Sequence, residues 1–235
     1  NNLAYEGHEV FSSEVEIRNY RRAKMDEAQS KVNRIKALFD KKINVLDVGS
    51  GNSKLLYALD QAGILNEGYG IELSKSRYEF ANKWKDDLDI DNVTNINKDI
   101  FSCDLKSLPK LDLVFQFFEP IKEGNGVRFL NDVYDRMNEG AVVILELDDH
   151  NEIIECMHNN EAKIWKELEE PDPWRYLLWD CKYKNSSIVM NKIFVNRTTP
   201  EVSKSSVVLR SYTRSESVDL LKSVGFVDVK LFEYY

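Results

Sequence analysis

Apolar residues recur along this chain in two patterns, one typical of amphipathic helices and one typical of buried strands. Residues 12–40 carry apolar side chains at near-helical spacing, and Ser13 and Glu16 at their start form a capping-box pattern. A short apolar run begins at Ile43 and is broken by Gly49 and Gly51, and similar runs recur downstream, several of them followed by helical spacing. Strands that alternate with helices predict a parallel sheet with right-handed crossover helices.

The predicted elements follow one another regularly on both sides of a central interruption. Before it, strands are predicted at 43–48, 68–73, 93–96, 111–117 and 141–147, with helices at 74–84 and 126–138 and another from Leu55. After it, we expect a strand at 206–212, a helix at 215–224 capped by Gly225, and a final strand at 226–232. These elements predict an α/β fold with a doubly wound, mostly parallel sheet of seven strands.

Residues 150–204 interrupt this rhythm. They are predicted to form an acidic helix at 159–170, an aromatic segment around Trp174, and two strands at 187–195 and 202–209. We interpret the segment as a lid or side layer inserted before the last helix–strand unit of a single domain. The predicted division is an N-terminal helical cap (1–42), a core (43–149), the insertion (150–204) and a closing strand–helix–strand unit (205–235).

Composition narrows the classes of partner. The 235 residues are 43% hydrophobic and 31% charged, which is typical of a globular protein, and the net charge of −8 disfavours nucleic acid as a partner. Three cysteines, at 103, 156 and 181, show no metal-ligand spacing and are interpreted as reduced thiols in the cytoplasm. No metal is predicted. No apolar run is long enough to span a membrane, and no signal-peptide pattern opens the chain.

A glycine turn follows the first predicted strand. In the run from Asp47 to Ser53, Gly49 and Gly51 let the backbone approach a ligand closely where the strand turns into a helix. The dinucleotide fingerprint requires a third glycine where Lys54 stands, and the Walker-type phosphate loop is also absent. An acid just before the turn suits a cationic or neutral ligand better than a pyrophosphate.

Two further acids follow the next strands. Glu72 ends the second strand 21 residues after Gly51, where a doubly wound sheet offers a carboxylate to the two hydroxyls of a ribose. Asp99 follows the third strand, where it could accept the exocyclic amine of an adenine while Ile100 packs against the ring. The alternative for Glu72 is a solvated helix cap, and for Asp99 an ordinary turn residue.

Taken in order, these residues resemble the class I family of methyltransferases that depend on S-adenosylmethionine (SAM), over roughly residues 43–148 and 205–235. The resemblance implies a Rossmann-like fold, SAM as cofactor, and a final strand inserted antiparallel. The stretch from Arg210 to Phe226 resembles members that act on small molecules, so we expect a small-molecule acceptor. Ser53 departs from the pattern, because many members have a third glycine there.

The same resemblance assigns roles to individual positions. The turn would touch the amino-acid end of SAM, Glu72 would bind the ribose, and Gln116 would border the methionine part. An alternative for Gln116 is a buried amide that only satisfies backbone groups. The implied cofactor-binding set is Asp47, Gly49, Ser50, Gly51, Glu72, Leu73, Asp99, Ile100 and Gln116, with Tyr20 of the leading helix as a cover or as an ordinary core tyrosine.

Candidates for acceptor chemistry are few. His150, after the fifth predicted strand, could take a proton from the acceptor, or it could be a solvated loop histidine held by Asp148 or Asp149. Glu119, just past the fourth strand, could orient an amine or bind a substrate cation. Trp174, Tyr176 and Trp179 could form an aromatic wall over the acceptor, or simply the insertion's own small core.

Two other classes stay open. One is a SAM-binding or partner-binding module without catalysis, because no general base is certain. The other is a nicotinamide oxidoreductase, against which Lys54 and Asp47 both count. Methylation of nucleic acid or protein would predict a basic groove or an Asn/Asp-Pro-Pro-Tyr motif, where this chain has Phe117-Phe118-Glu119-Pro120. The oligomeric state and the choice between oxygen and nitrogen as the methylated atom are not predicted.

Overall fold

The computed structural model describes residue 11 and residues 13–117, 125–146, 154–155, 157–159, 161–170, 172, 174–185, 187–210 and 212–232. Its longer helices are α1 (Glu14–Lys36), α2 (Lys54–Gln61), α3 (Lys75–Asp87), α4 (Asn125–Tyr134) and α5 (Arg214–Val224). Its strands are β1 (Ile43–Val48), β2 (Leu65–Glu72), β3 (Val93–Asn97), β4 (Leu111–Phe117), β5 (Met137–Glu146), β6 (Glu161–Glu167), β7 (Trp174–Lys184), β8 (Ser187–Asn196) and β9 (Val202–Arg210). The predicted alternation of strands and helices is confirmed from β1 to β5.

The first five strands form one parallel sheet with the order β3-β2-β1-β4-β5. The chain winds outward from β1 to β3 and then returns to β4 on the other side of β1. The topological switch point therefore lies between β1 and β4, and ligands of such sheets bind at the carboxyl ends of the strands there. The doubly wound α/β fold is confirmed, and the described residues supply five of its seven predicted strands.

Helices cover both faces of this sheet. Val32 of α1, Leu56 of α2 and Trp84 of α3 share a buried cluster with Val45 of β1. On the other face, residues of α4 and α5 pack with Leu46 and Val114 in a second cluster. Within the described residues, no helix is both long and apolar enough to cross a membrane.

The remaining strands form a separate antiparallel sheet with the order β6-β7-β8-β9. The acidic helix predicted at 159–170 is wrong, because residues 161–167 form β6 and pair with β7. Ala162 and Ile164 lie opposite Cys181 and Trp179, whereas Lys163 between them and Trp165 after Ile164 are exposed. This alternation has the period of a strand, and pairing within the long hairpin outweighs the local helix propensity of the charged residues.

The predicted closing unit differs from the structure at both of its strands. The strand predicted at 206–212 belongs to β9, which pairs with β8 in the second sheet and not with the central sheet. Residues 226–232 contain no strand: Asp228 has a left-handed φ of 52°, which interrupts an extended backbone, and Val227 and Phe232 are exposed. The helix between them is confirmed, with Gly225 as its left-handed cap at a φ of 117°.

Candidate functional site

The glycine turn after β1 takes three residues through the left-handed region. Gly49, Gly51 and Ser53 have φ values of 71°, 57° and 59°. Ser53 thus adopts the conformation that a glycine would favour, and its hydroxyl donates to Asn95 Oδ1 at 2.7 Å. The turn keeps its tight geometry without a third glycine because this buried side-chain bond holds Ser53 in place.

The neighbouring strand leaves room for this arrangement at Gly70. A Cβ on Gly70 would come within 2.8 Å of Ser50 Oγ and 3.0 Å of Ser53 Oγ. Asn95 continues the polar contacts by donating to Tyr57 Oη at 3.1 Å, and burial raises the pKa of Tyr57 to about 12. The turn therefore rests on a largely buried polar network that links it to β3 and α2, and Gly70 of β2 leaves the space for that network.

Glu72 is the carboxylate that closes the turn. Its side chain is buried, Oε2 accepts from Gly51 N–H at 2.8 Å, and Oε1 accepts from Ser74 N–H at 2.7 Å. The alternative of a solvated helix cap is wrong, because Glu72 is only 7% exposed. A carboxylate has about four acceptor positions, so each oxygen keeps one for a ligand hydroxyl.

Asp47 lies beneath the turn with an unsatisfied oxygen. Its residue is 1% exposed, and its Oδ1 has no hydrogen-bond partner among the described residues. Burial raises the pKa of Asp47 to about 7, the positive charges of Lys31 and Lys54 oppose that rise, and Glu72 and Glu146 add to it. A buried, unpaired carboxyl of this kind is a strong candidate for binding a cationic group.

A polar stripe on α1 borders the same edge of the sheet. It consists of Tyr20, Lys24, Glu27 and Lys31, which recur at helical spacing. Tyr20 Oη accepts from Asn52 in the turn at 3.3 Å, and Glu27 bonds Lys54 of α2 at 2.9 Å. Tyr20 is also buried among Phe11 and Phe80, so it lies next to the turn and inside an aromatic cluster at once.

Lys31 reaches from this stripe to the carboxyl end of β5. Its Nζ lies 2.9 Å from Glu146 Oε1 and 5.5 Å from the centre of the Phe115 ring. Phe115 is the register partner of Asp47 on the adjacent strand. Lys31 thus brings a positive charge over the switch point between β1 and β4.

The other predicted cofactor positions are distributed around this edge. Asp99 is exposed and its Oδ1 accepts from Phe101 N–H at 3.0 Å, which caps a short 3-10 turn that begins at Ile100. Leu73 is half-buried next to Glu72, and its carbonyl accepts from Asn97 at 3.1 Å. Gln116 is 4% exposed near the end of β4. The structure places Asp99 and Ile100 after β3, as the sequence order implies.

The aromatic residues of the second sheet do not form one wall. Trp179 lies in the small cluster of Cys181 and Met190, whereas Tyr176 contacts Trp165, which is 68% exposed. Residues 176 and 179 are separated by an odd number of positions along β7, so their side chains point to opposite faces. A register shift between Trp174 and Tyr176 places Trp174 on the face of Trp179, where it is buried against Phe194. Tyr176 therefore cannot share a surface with Trp179.

Asp172, between β6 and β7, interacts electrostatically with basic residues of α1 and α3. Burial raises the pKa of Asp172, and a bond from Trp174 N–H and the charges of Lys24, Arg197 and Arg77 oppose that rise. Arg77 is the residue nearest to a Cβ built on Gly51, at 4.0 Å. Asp172 therefore lies within electrostatic reach of Lys24 on α1 and of Arg77 beside the turn.

Two predicted catalytic residues, Glu119 and His150, lie outside the described residues. Residues that sequence reasoning missed are Lys31, Arg77, Glu146 and Asn95. The polar stripe on α1 was a usable signal for Lys31, because lysine recurs with glutamate and tyrosine on one helical face. Over the part of the chain that the structure covers, no three His, Cys, Asp or Glu side chains group as potential metal ligands.

These residues fit the cofactor that the resemblance implies. Asp47 offers an orphaned carboxyl oxygen to a cation, and the Glu72 carboxylate keeps acceptor capacity for hydroxyls beside the Gly51 backbone. Both carboxylates lie at the carboxyl edge of adjacent parallel strands, β1 and β2. The two carboxylates suit a ligand that carries an ammonium or sulfonium cation together with a ribose.

Comparisons with known proteins agree with this fold. A family model described as a methyltransferase domain matches residues 39–182, which is more than half of the chain. No curated protein matches the sequence.

Three solved structures illustrate the likeness. An S-adenosylmethionine-dependent methyltransferase from Clostridium acetobutylicum is 15% identical, with a TM-score of 0.66 over 86% of this chain and 79% of that one. CalS10, a SAM-bound amino pentose methyltransferase from Micromonospora echinaspora, is 17% identical, with a TM-score of 0.64 over 93% and 91%. The sugar N-methyltransferase KedS8 from Streptoalloteichus is 12% identical, with a TM-score of 0.61 over 93% and 87%. At these identities the likeness concerns the fold.

Proposed function

Since the chain belongs to the methyltransferase domain family, we propose that it binds S-adenosylmethionine and transfers the methyl group to an oxygen or nitrogen of a small-molecule acceptor. The observation that carries this proposal is the buried Glu72 carboxylate held against the Gly51 N–H at 2.8 Å, with the unpaired Asp47 oxygen beneath the same turn. A cytoplasmic location is part of the proposal, and Cys103 and Cys181 are free thiols.

In this proposal the cofactor supplies an electrophilic methyl group on a sulfonium, and the chain supplies binding and alignment. Glu72 accepts from the ribose hydroxyls, Asp47 binds the ammonium of the amino-acid end, and Asp99 with Ile100 contacts the adenine. Ser50, Gln116 and Leu73 line the remaining edge, and Tyr20 covers it from α1. Alignment of acceptor, methyl carbon and sulfur is the main contribution that a protein makes to such a displacement.

For the acceptor side, we propose that Trp174 and Trp179 line the subsite and that Tyr176 does not. The indole Nε1 atoms of Trp174 and Trp179 are buried and have no partner among the described residues. A buried donor without a partner costs free energy, so an acceptor oxygen at these positions would be stabilised. The neighbours described as amino pentose and sugar methyltransferases support an oxygen-rich acceptor.

The acceptor subsite can be tested with a matched set of tryptophan variants. Trp174→Phe and Trp179→Phe keep the ring and remove the donor, so they should raise the KM for the acceptor and leave SAM affinity unchanged. Trp165→Phe is the control, because Trp165 is exposed on the other face of the second sheet. Equal KM values in all three variants would contradict the subsite.

The activity itself is tested by formation of S-adenosylhomocysteine with a panel of small hydroxyl and amine acceptors. Product from at least one acceptor would support the enzyme, and SAM binding without turnover on any acceptor would favour a non-catalytic module. His150→Ala and Glu119→Gln then test the two proposed catalytic residues. Loss of product with intact SAM binding in either variant would support a role in proton transfer or acceptor orientation.

A further inference from the structure

Lys31 of α1 forms an ion pair with Glu146 at the end of β5. Its Nζ contacts both oxygens of Glu146, at 2.9 Å for Oε1 and 3.0 Å for Oε2. The two side chains are 18% and 14% exposed, so this ion pair is largely withdrawn from solvent. A partly buried pair that joins α1 to the end of β5 fixes the ammonium group firmly in space.

The sheet register shows where that ammonium group lies. Asp47 of β1 is the partner of Phe115 on β4, and Phe115 is the partner of Ile144 on β5. Glu146 is two residues beyond Ile144, so it lies on the same face and one row nearer to the carboxyl edge. Lys31 therefore lies over the row that contains Asp47, on the side where ligands of such sheets bind.

Among the lysines near Asp47, Lys31 has the strongest electrostatic effect on the Asp47 carboxyl. Of the positive charges that act on the Asp47 carboxyl, that of Lys31 is the strongest, followed by that of Lys54. Lys54 is bound to Glu27 at 2.9 Å and is the first residue of α2. The Asp47 carboxyl, with its orphaned oxygen, and the Lys31 ammonium thus supply an anionic and a cationic group at the same end of the crevice.

A carboxylate and an ammonium group in this arrangement complement a zwitterion. We propose that Lys31 binds the carboxylate of the amino-acid end of the cofactor while Asp47 binds its ammonium, so that the site selects ligands with an intact amino-acid tail. This inference rests on the proposed function, because it takes S-adenosylmethionine and its product as the ligands. An ammonium group has three donors, so one lysine can bind Glu146 and a ligand carboxylate together.

A role limited to fastening α1 to β5 makes a different prediction. If Lys31 only holds the helix, its loss would weaken every ligand of the crevice by the same factor. If Lys31 binds the ligand carboxylate, its loss would weaken only ligands that carry that carboxylate. Two ligands that differ in this one group therefore separate the two roles.

The experiment is calorimetric titration with S-adenosylhomocysteine and with its decarboxylated analogue, which keeps the ammonium. The wild type should prefer S-adenosylhomocysteine by about tenfold to a hundredfold, the range for a charged hydrogen bond. Lys31→Met should abolish that preference by weakening S-adenosylhomocysteine alone, and Lys31→Arg should retain part of it. Lys83→Met is the matched control, because Lys83 also forms an ion pair with α1, through Glu14 at 3.3 Å.

Each result decides the question. Equal affinity of the wild type for the two ligands would overturn the inference without any variant, and so would an equal loss of both in Lys31→Met. If Lys31→Met does not fold, as judged by thermal unfolding, Lys31→Gln replaces it in the same comparison. Failure of the wild type to bind S-adenosylhomocysteine or SAM at all would instead reject the proposed function.

Discussion

Glu72 and Gly51 are joined by a 2.8 Å hydrogen bond from the backbone N–H of the turn to the carboxylate at the end of β2. The other oxygen of Glu72 accepts from Ser74, the residue that caps α3. One side chain therefore fixes the turn after β1 relative to the start of α3. The same carboxylate faces the crevice, so the groups that shape the site also belong to it.

Replacing Glu72 by glutamine should weaken SAM binding by about tenfold or more. The amide loses one acceptor and the negative charge, and bonds to charged groups contribute on the order of 2 kcal/mol. Glu67→Gln on the same strand is the control, because Glu67 is exposed and its carboxylate accepts from Tyr69 Oη at 2.6 Å. Calorimetric affinities unchanged in Glu72→Gln would remove Glu72 from the site.

Replacing Asp47 by asparagine should stabilise the ligand-free protein near pH 8. The folded pKa of Asp47 is about 7 against an ordinary 3.8, so the folded state holds a proton that the unfolded state releases between these values. The wild type therefore loses stability as pH rises from about 4 to 7, by up to about 4 kcal/mol. Denaturant unfolding at pH 5 and pH 8 should show a smaller decline in the variant, and an equal decline would contradict the buried acid.

SAM affinity of the wild type should fall as pH is lowered below about 7. Binding of a cation requires the ionised Asp47, and below its pKa a proton competes with the ligand. The steepest expected slope is tenfold per pH unit. Affinity measured from pH 6 to pH 8 should be independent of pH in Asp47→Asn over this range, apart from its weaker overall binding. A pH-independent wild type would argue that Asp47 does not meet a cation.

Ser53 and Asn95 should be energetically coupled. Ser53 is in a left-handed conformation and bonds Asn95 at 2.7 Å, so Ser53→Ala loses the bond and keeps the strained backbone. We expect a loss of about 1 to 2 kcal/mol in the free energy of unfolding for Ser53→Ala, and less for Ser53→Gly, which relieves the strain. A double-mutant cycle with Asn95→Ala should give a coupling above about 0.5 kcal/mol, and strict additivity would contradict the bond.

The core of the fold was predictable because its residues are locally consistent. β4 was predicted at its observed bounds, 111–117, since five of its seven residues are apolar and such a short apolar run is typical of a buried parallel strand. The glycine turn was predictable for a similar reason, because Gly49 and Gly51 are needed for backbone geometry alone. Their φ values of 71° and 57° are those that glycine favours.

The second sheet was less predictable because its pairing is not local. Residues 161–167 carry charges that suit a helix, and only their register with β7 makes them a strand. Likewise, the sequence around Ser206 suits a strand, but its partner is β8 and not the central sheet. Tyr176 and Trp179 were grouped by their proximity in sequence, whereas the pleat separates them.

The site was predictable only where a residue belongs to the turn or to a strand end. Asp47 and Glu72 lie at such positions, and their burial agrees with a ligand-binding role. Lys31 is distant from both in sequence and reaches the site through the packing of α1 on α2 and the sheet. Contacts of that kind depend on tertiary structure, which a pattern of residues along the chain does not specify.

The most direct test of the central claim is isothermal titration of the purified protein with S-adenosylmethionine and S-adenosylhomocysteine, with NAD as the control. We expect micromolar binding of both adenosyl ligands and none of NAD. Absence of binding by both adenosyl ligands would contradict it and leave the glycine turn and Glu72 as purely structural features. Binding of NAD alone would contradict it as well and would favour an oxidoreductase.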